Sequence, residues 1–507
     1  MFDHYDIIII GSGAGGGTLA FGLAHRGLRI LLLERGHSIP KEPENWQARS
    51  LFQEGRYRTD QQWIDQRQRQ PFRPSLYQHV GGSTKVYGAA LLRMREMDFG
   101  TVTYPEGISP AWPLSYGALE PYYAQAEDLY WVHGDRGEDP TEPFAHGPFP
   151  FPAMPHEPKV WAIAQQLSRQ GLQPFSLPMG IDRREGGSCI RCSTCDGYPC
   201  LLDAKADAEV CCVEPALAQG NVTLKTGVEA QRIITEESGR RVVGVEAIAA
   251  GRAVYYKAHQ IVVACGAVNS AALLLRSATA QHPRGLGNSS GLVGRYLMKH
   301  NVTKLFAIGW ENNPTVFQKT LAINDFYRQD GDAPIGHIHL MGKHTWEMMR
   351  SDFPEWVPNR MLQAIARRSV DWWVQTEDLP DPENRVTLTP RGEIAVTYRP
   401  NNLMNHHRLT QRMRSLLRGA GFPWVIARPV GLATLNHQAG TCRFGEDPKT
   451  SVLNLDCRCH DLENLYVVDS SFFPSATATN PTLTIAANAL RVAERLACHP
   501  VSMPAIA

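Results

Sequence analysis

The chain has 507 residues and carries 51 Lys plus Arg against 50 Asp plus Glu, a formal net charge of +1. So even a balance singles out neither nucleic acid nor an anionic membrane surface as a partner. Hydrophobic residues at 43% and charged residues at 20% describe a soluble globular protein, and the length calls for two domains, enough to enclose a site.

The first residues, MFDHYD, are acidic where a secretory signal is basic, and the apolar run after them is of strand length and ends in glycine, so the chain reads as cytoplasmic. From Tyr5 to Gly36 the order is strand, glycine turn, helix, strand. The unbroken apolar run up to Ile10 suits a strand buried on both faces of a parallel sheet, and Leu19, Ala20, Leu23 and Ala24 form the inward stripe of a helix. Between them GSGAGG supplies Gly11, Ser12, Gly13, Ala14, Gly15 and Gly16, with the GxGxxG glycines at 11, 13 and 16. The first permits the turn, the second admits a pyrophosphate to the backbone, and the third lets helix and strand pack closely. Glu34, at the end of the second strand, is placed to accept hydrogen bonds from ribose hydroxyls. This unit predicts a dinucleotide site and leaves NAD and FAD both open.

Further along come the paired glycines of HVGGSTKVYGAALLRMREMDF (79–99) and a less patterned stretch from 111 to 205. The latter contains Cys189, Cys192, Cys195 and Cys200, spaced C-x2-C-x2-C-x4-C. Thiolates so spaced can wrap an iron–sulfur cluster, but the bacterial ferredoxin run has three residues before its fourth cysteine and a proline after it. Here there are four, and Pro199 comes before Cys200. Zinc pairs are usually set further apart. Metal-free packing or local disulfide pairing ranks first, an iron–sulfur cluster second and zinc last, and no metal is assigned.

Residues 222–264 alternate short β-rich runs, predicting a small β layer and a strand returning to the nucleotide-binding sheet. IVVACGAVNSAALLL (261–275) is the longest nearly uncharged run and is too short to span a bilayer. Residues 300–425 are rich in large aromatics, among them Trp310, Trp346, Trp356, Trp372 and Trp373, which as tryptophans belong more often to a core than to a sugar platform. TLNHQAGTCRFG places His437 in a polar loop between Asn436 and Gln438. In SATATNPTLTIAANALRVAERL, Asn480 followed by Pro481 predicts a helix start, the asparagine as cap and the proline at the first helical position.

Segments 79–99, 261–277, 376–388 and the C-terminal run from Leu435 together resemble the glucose-methanol-choline (GMC) family of flavoprotein oxidoreductases, over residue 5 to about 496. The resemblance implies an α/β fold in which a Rossmann-type FAD-binding domain (1–110, 205–300 and 425–507) is interleaved with an α+β substrate-binding domain (111–204 and 301–424). It also implies FAD and hydride transfer from an alcohol carbon to flavin N5. By the same resemblance Gly82, Ser83 and Tyr87 lie near the flavin, the backbone near Ala230 holds the adenine, and Asp469 and Ser470 meet the ribityl and phosphate region. The helix beginning at Pro481 and Thr482 points its positive end at the flavin pyrimidine. Members that link FAD covalently have a histidine in the loop after the paired glycines; here Ser83, Thr84, Lys85, Val86 and Tyr87 follow, so FAD is expected to be non-covalent and His79 to be packed or solvated. Tyr87 stands where many members have an asparagine.

Oxidising an alcohol also removes the hydroxyl proton, which a neutral imidazole can take. His437 is the expected base, with Asn480 beside it orienting the substrate hydroxyl. The expected substrate is a small-molecule alcohol, a sugar, aminosugar or glycoside, with oxygen, a quinone or a protein as electron acceptor and no membrane or nucleic-acid partner. Alternatives are oxidation of an aliphatic, aryl or sterol alcohol, and hydroxynitrile cleavage with the flavin as bystander.

Overall fold

The run HYDIIII forms the strand His4–Ile10, which in the computed structural model lies inside a seven-stranded sheet; the structure describes residues 4–327 and 335–498. The strand order is Val222–Lys225, Ile30–Leu33, His4–Ile10, Arg252–Val263, Val242–Ala249, Val228–Thr235, with Leu465–Val467 also paired to Arg252–Val263. Ile8 stands opposite both Leu31 and Ile261 in parallel register, and Val263 opposite Val467. Arg252–Val263 serves two structures: its first half pairs antiparallel in a meander, and its second half continues into the parallel sheet. That is the β layer and return strand expected of residues 222–264.

The helices Ala14–Ala24 and Thr482–Cys498 pack so closely that a Cβ added at Gly22 would come within 2.8 Å of the Ala493 methyl. Tyr116–Leu129 packs on the same C-terminal helix, with Tyr123 and Thr484 hydroxyls 2.8 Å apart.

A second, six-stranded sheet has the order Trp424–Pro429, Asn301–Ile308, Ser369–Thr376, His337–Leu340, Leu321–Ile323, Phe175–Ser176, all neighbours antiparallel. Its alternation divides the two adjacent tryptophans. Trp372 is fully buried in a core with Leu305, Leu409 and Met413, against the helix Leu403–Gly419, whereas Trp373 points to the other face. On that face Lys304, Trp373 and His339 are directly opposite one another across three strands. Of the remaining tryptophans named above, Trp346 is partly buried, while Trp310 and Trp356 are exposed at 71% and 80%.

The sheets do not divide at the boundaries expected from sequence. Trp424–Pro429 pairs with Asn301–Ile308 and so joins the second sheet, although 425 onward was expected with the first. Tyr116–Leu129 contributes Leu119, Tyr123 and Ala126 to the core of the first sheet, as do Val386, Ile394 and Val396 from a separate four-stranded sheet. The reason is that long-range packing assigns these segments, and nothing local in their sequence records it. Among the described residues, no helix is long and apolar enough to cross a membrane.

Candidate active site

The carboxyl ends of the parallel strands and the Trp373 face of the second sheet enclose a cavity of about 540 Å³, placed where open α/β sheets bind ligands. Of the residues expected to hold a dinucleotide, all but Gly16 line it, and so do His437 and Asn480.

The glycine turn divides the expected labour. A Cβ on Gly16 would lie 1.9 Å from the Gly11 carbonyl oxygen, and one on Gly15 2.1 Å from that of Val468, so packing alone demands both. Gly11 has φ 101°, and its Cβ would meet the Ala264 oxygen at 2.4 Å. Gly13 differs: its Cβ would meet nothing nearer than Gly82 Cα at 3.8 Å. The protein does not need a glycine there, but a ligand drawn up to that backbone does. No side chain caps the helix that follows, so its first N–H groups remain available for phosphate. This cradle fits a dinucleotide.

Glu34 accepts from Ser12 N at 3.1 Å, Ser12 Oγ at 2.6 Å and Gly36 N at 3.0 Å, while burial pushes its pKa up against those bonds. A carboxylate has about four acceptor positions, leaving one for a ribose hydroxyl. Ala230 follows Glu229, which pairs with Arg35 at 3.3 Å. The Asp469 carboxylate is held by Gly266 N (2.9 Å), Ser471 N (2.8 Å) and the hydroxyls of Ser270 and Ser471, which makes it a hub joining the end of Leu465–Val467 to the helix Ala267–Arg276. The Ser470 hydroxyl donates to the Gln438 carbonyl at 2.6 Å. Tyr87 donates its hydroxyl to the Ala206 carbonyl, so it offers the cavity its ring. Both nitrogens of His79 contact carbonyls, those of His37 and Tyr57, each at 2.9 Å.

His437 has a partner that the sequence did not announce. Its Nδ1 lies 2.9 Å from Nδ1 of His300, whose Nε2 lies 3.0 Å from the Ala476 carbonyl oxygen. A carbonyl only accepts, so His300 carries its proton on Nε2 and its Nδ1 is bare. His437 must then donate from Nδ1, which leaves its Nε2 with a free lone pair. Both rings are held neutral. Burial is the main cause, pushing His300 down to about 4, with Lys299 adding to it against the pull of the Ala476 carbonyl, and pushing His437 well below the ordinary histidine value, with His300, His339, Lys319 and Lys299 adding to it. His300 sits at φ 69°, a left-handed conformation that surrounding contacts must sustain.

Asn480 differs from expectation. The first helical bond runs from Ile485 N to the Pro481 carbonyl at 3.0 Å, and the helix begins at Thr482, so it starts one residue late for an asparagine cap. The Asn480 Oδ1 is buried with no protein partner, on a residue that lines the cavity. Such an orphan points to a ligand. Gln438, the polar neighbour of His437, accepts from Val268 N at 2.7 Å, anchoring the start of Ala267–Arg276.

Sequence reasoning passed over His300, His339, Lys319 and Asp196. His337 and His339 alternate with apolar residues in HIHL, a period-two signal that puts both on one face of a strand; the others carry no local mark. All eleven cysteines are free, and Cys189, Cys195 and Cys200 pack among apolar residues such as Phe175, Leu177 and Met179. Among the described residues, no group of three or more His, Cys, Asp or Glu is arranged to hold a metal ion.

Comparison with known proteins matches residues 5–302 to the N-terminal and 380–489 to the C-terminal GMC oxidoreductase family models. The chain is 33% identical to the 6'''-hydroxyparomomycin C oxidase of Streptomyces lividus and 32% identical to the paromamine 6'-oxidase of Streptomyces fradiae, in each case over 98% of this chain and 92% of the relative. Among solved structures, pyridoxine 4-oxidase from Mesorbium loti superposes with a TM-score of 0.68 at 20% identity, covering 97% of this chain and 99% of that one.

Proposed function

The chain belongs to the GMC oxidoreductase family, and from that premise we propose that it oxidises a CH–OH group of a sugar, aminosugar or glycoside to the carbonyl, with FAD held non-covalently and His437 as the base. The observation that carries this reading is the imidazole pair: a neutral His437 whose Nε2 is kept bare by His300, in the wall of a cavity with a dinucleotide cradle. The partition into a discontinuous FAD domain and a substrate domain fits the same reading, with the second sheet extended to Pro429.

The backbone of Gly11, Ser12, Gly13, Ala14 and Gly15 would hold the pyrophosphate, Glu34 a ribose, the backbone near Ala230 the adenine, and Gly82, Ser83, Tyr87, Ser470, Pro481 and Thr482 the flavin half. FAD, when bound, supplies the hydride acceptor. The substrate hydroxyl donates to His437 Nε2 and gives up its proton there. His300 Nδ1 accepts from His437 Nδ1 throughout, so the imidazolium forms with its second N–H already hydrogen-bonded. The Asn480 amide, whose oxygen has no protein partner, orients the hydroxyl. The relatives named for oxidising paromamine and 6'''-hydroxyparomomycin C support an aminosugar-bearing substrate, and the polar groups on the Trp373 face support a polyhydroxylated ring. A cytoplasmic location and an acceptor that is oxygen, a quinone or a protein complete the proposal.

Anaerobic stopped-flow with paromamine tests it. His437→Ala should retain its FAD and lose about 10²- to 10⁴-fold in the rate of flavin bleaching. Bleaching at the wild-type rate would refute the base assignment, and a flavin that paromamine and other polyols leave oxidised in the wild type would refute the oxidation.

A further inference from the structure

We propose that Asp196, Lys319 and His339 form a subsite beside His437 that recognises a second hydroxyl of the substrate, in preference to an ammonium, a carboxylate or an apolar group. The proposal rests on the reading of this cavity as an alcohol-oxidising site and names what else the substrate must carry.

All three residues line the cavity. Asp196 is delivered by the cysteine-bearing loop, and that loop is fastened on both sides of it. The buried ammonium of Lys205 donates to the carbonyls of Cys195 and Tyr198, each at 2.6 Å. Lys319 Nζ and Gly342 N both donate to one oxygen of Asp196, Oδ2, each at 3.0 Å. The protein thus engages Oδ2 twice and leaves Oδ1 for a ligand. Burial opposes the charge on Asp196, but Lys319 and the Gly342 N–H outweigh it, keeping the carboxyl well below the usual range. Lys319 uses one of its three donors here. Two glycines make the room: a Cβ on Gly88 would lie 1.9 Å from Lys319 Nζ and 2.5 Å from Asp196 Oδ1, and one on Gly342 2.6 Å from Asp196 Cβ. Both have ordinary backbone angles, so the glycines are there for space.

His339 completes the set. Its Nδ1 lies 2.8 Å from the Leu340 carbonyl and must donate to it, so Nε2 is an acceptor; that nitrogen is buried without a partner. Trp373 bridges the subsite to the base, with its ring centroid 6.3 Å from those of both His339 and His437.

The charges decide what fits. An ammonium gains from Asp196 but is repelled by Lys319; a carboxylate gains from Lys319 but is repelled by Asp196. Only a group that both donates and accepts uses the two together. A hydroxyl does, accepting from Lys319 Nζ and donating to Asp196 Oδ1 or His339 Nε2.

Calorimetric titration of the purified flavoprotein, carried out anaerobically, would use three probes: methyl α-D-glucopyranoside, methyl 2-amino-2-deoxy-α-D-glucopyranoside and cyclohexylmethanol. The wild type should bind the glucoside more tightly than either the aminoglucoside or cyclohexylmethanol. That preference should shrink about ten- to a hundredfold in Asp196→Asn and in Lys319→Met, as expected for lost hydrogen bonds to charged groups. The double variant, which leaves no unpaired buried charge, and Gly88→Ala, which crowds the pair without removing it, should shrink it as well and guard against misfolding of a single variant. An unchanged preference in all four, or a wild type that binds cyclohexylmethanol as tightly as the glucoside, overturns the proposal. Flavin bleaching by the same probes separates the two readings: a glucoside bound through the subsite without bleaching counts against alcohol oxidation, and bleaching that is indifferent to the variants counts against the subsite.

Discussion

Around Glu34 the cavity is bounded mostly by backbone: a turn in which Gly11, Gly15 and Gly16 would each set a Cβ 1.9–2.4 Å from a carbonyl oxygen, and an uncapped helix start. Around His437 the wall is side chains that arrive from distant parts of the chain. His300 reaches His437 across 137 positions, and Lys319 reaches Asp196 across 123. The first end presents residues that are close in sequence, wedged against the backbone of Ala264 and Val468, and tolerates nothing larger than hydrogen at a few points. The second is fixed by pairings, each of which can be altered singly, so substrate recognition can change while the nucleotide end stays as it is.

That contrast should show in the size and kind of loss on substitution. The largest effect is expected at the backbone end: Gly16→Val places carbon 1.9 Å from a backbone oxygen that cannot move aside, and the purified protein should be colourless or insoluble. A yellow, folded Gly16→Val protein would break the comparison. His437→Ala should fall next, with its flavin spectrum intact and only the chemistry slowed. His300→Phe should show a smaller effect, about tenfold, because His437 remains but its proton is no longer confined to Nδ1.

The pH profile sharpens the same point. The folded-state pKa of His437 is lowered, so the neutral, proton-accepting form persists as pH falls through 6.5, where an ordinary histidine would charge. The rate of flavin bleaching in the wild type should therefore stay level as pH falls from 8 through 6.5, and an acid limb centred near 6.5 would show that His437 is not held neutral.

The same division explains how much could be read from the sequence. GSGAGG, its flanking strands and Glu34 lie within one short stretch, so the strand–turn–helix–strand unit of the first sheet was legible. His437 and Asn480 could be singled out as candidates through their loop and helix start, and both line the cavity, but their surroundings could not be read. The asparagine's capping role fails because the helix begins at Thr482, and Gln438 turns inward to a helix N-terminus that no local pattern ties to it. His300 stands at the entry to a strand in an ordinary-looking run, and only the folded chain brings its Nδ1 to His437. Asp196 was hidden among four cysteines that drew attention by their spacing, while the loop places that carboxylate in the cavity wall.

Neutron diffraction from deuterated crystals of the flavoprotein would locate the protons on the imidazole pair directly. Deuterium is expected on Nε2 of His300 and on Nδ1 of His437, with Nε2 of His437 bare. Deuterium on Nε2 of His437, with Nδ1 bare, would mean that the ring cannot accept the substrate's proton, and would contradict its assignment as the base.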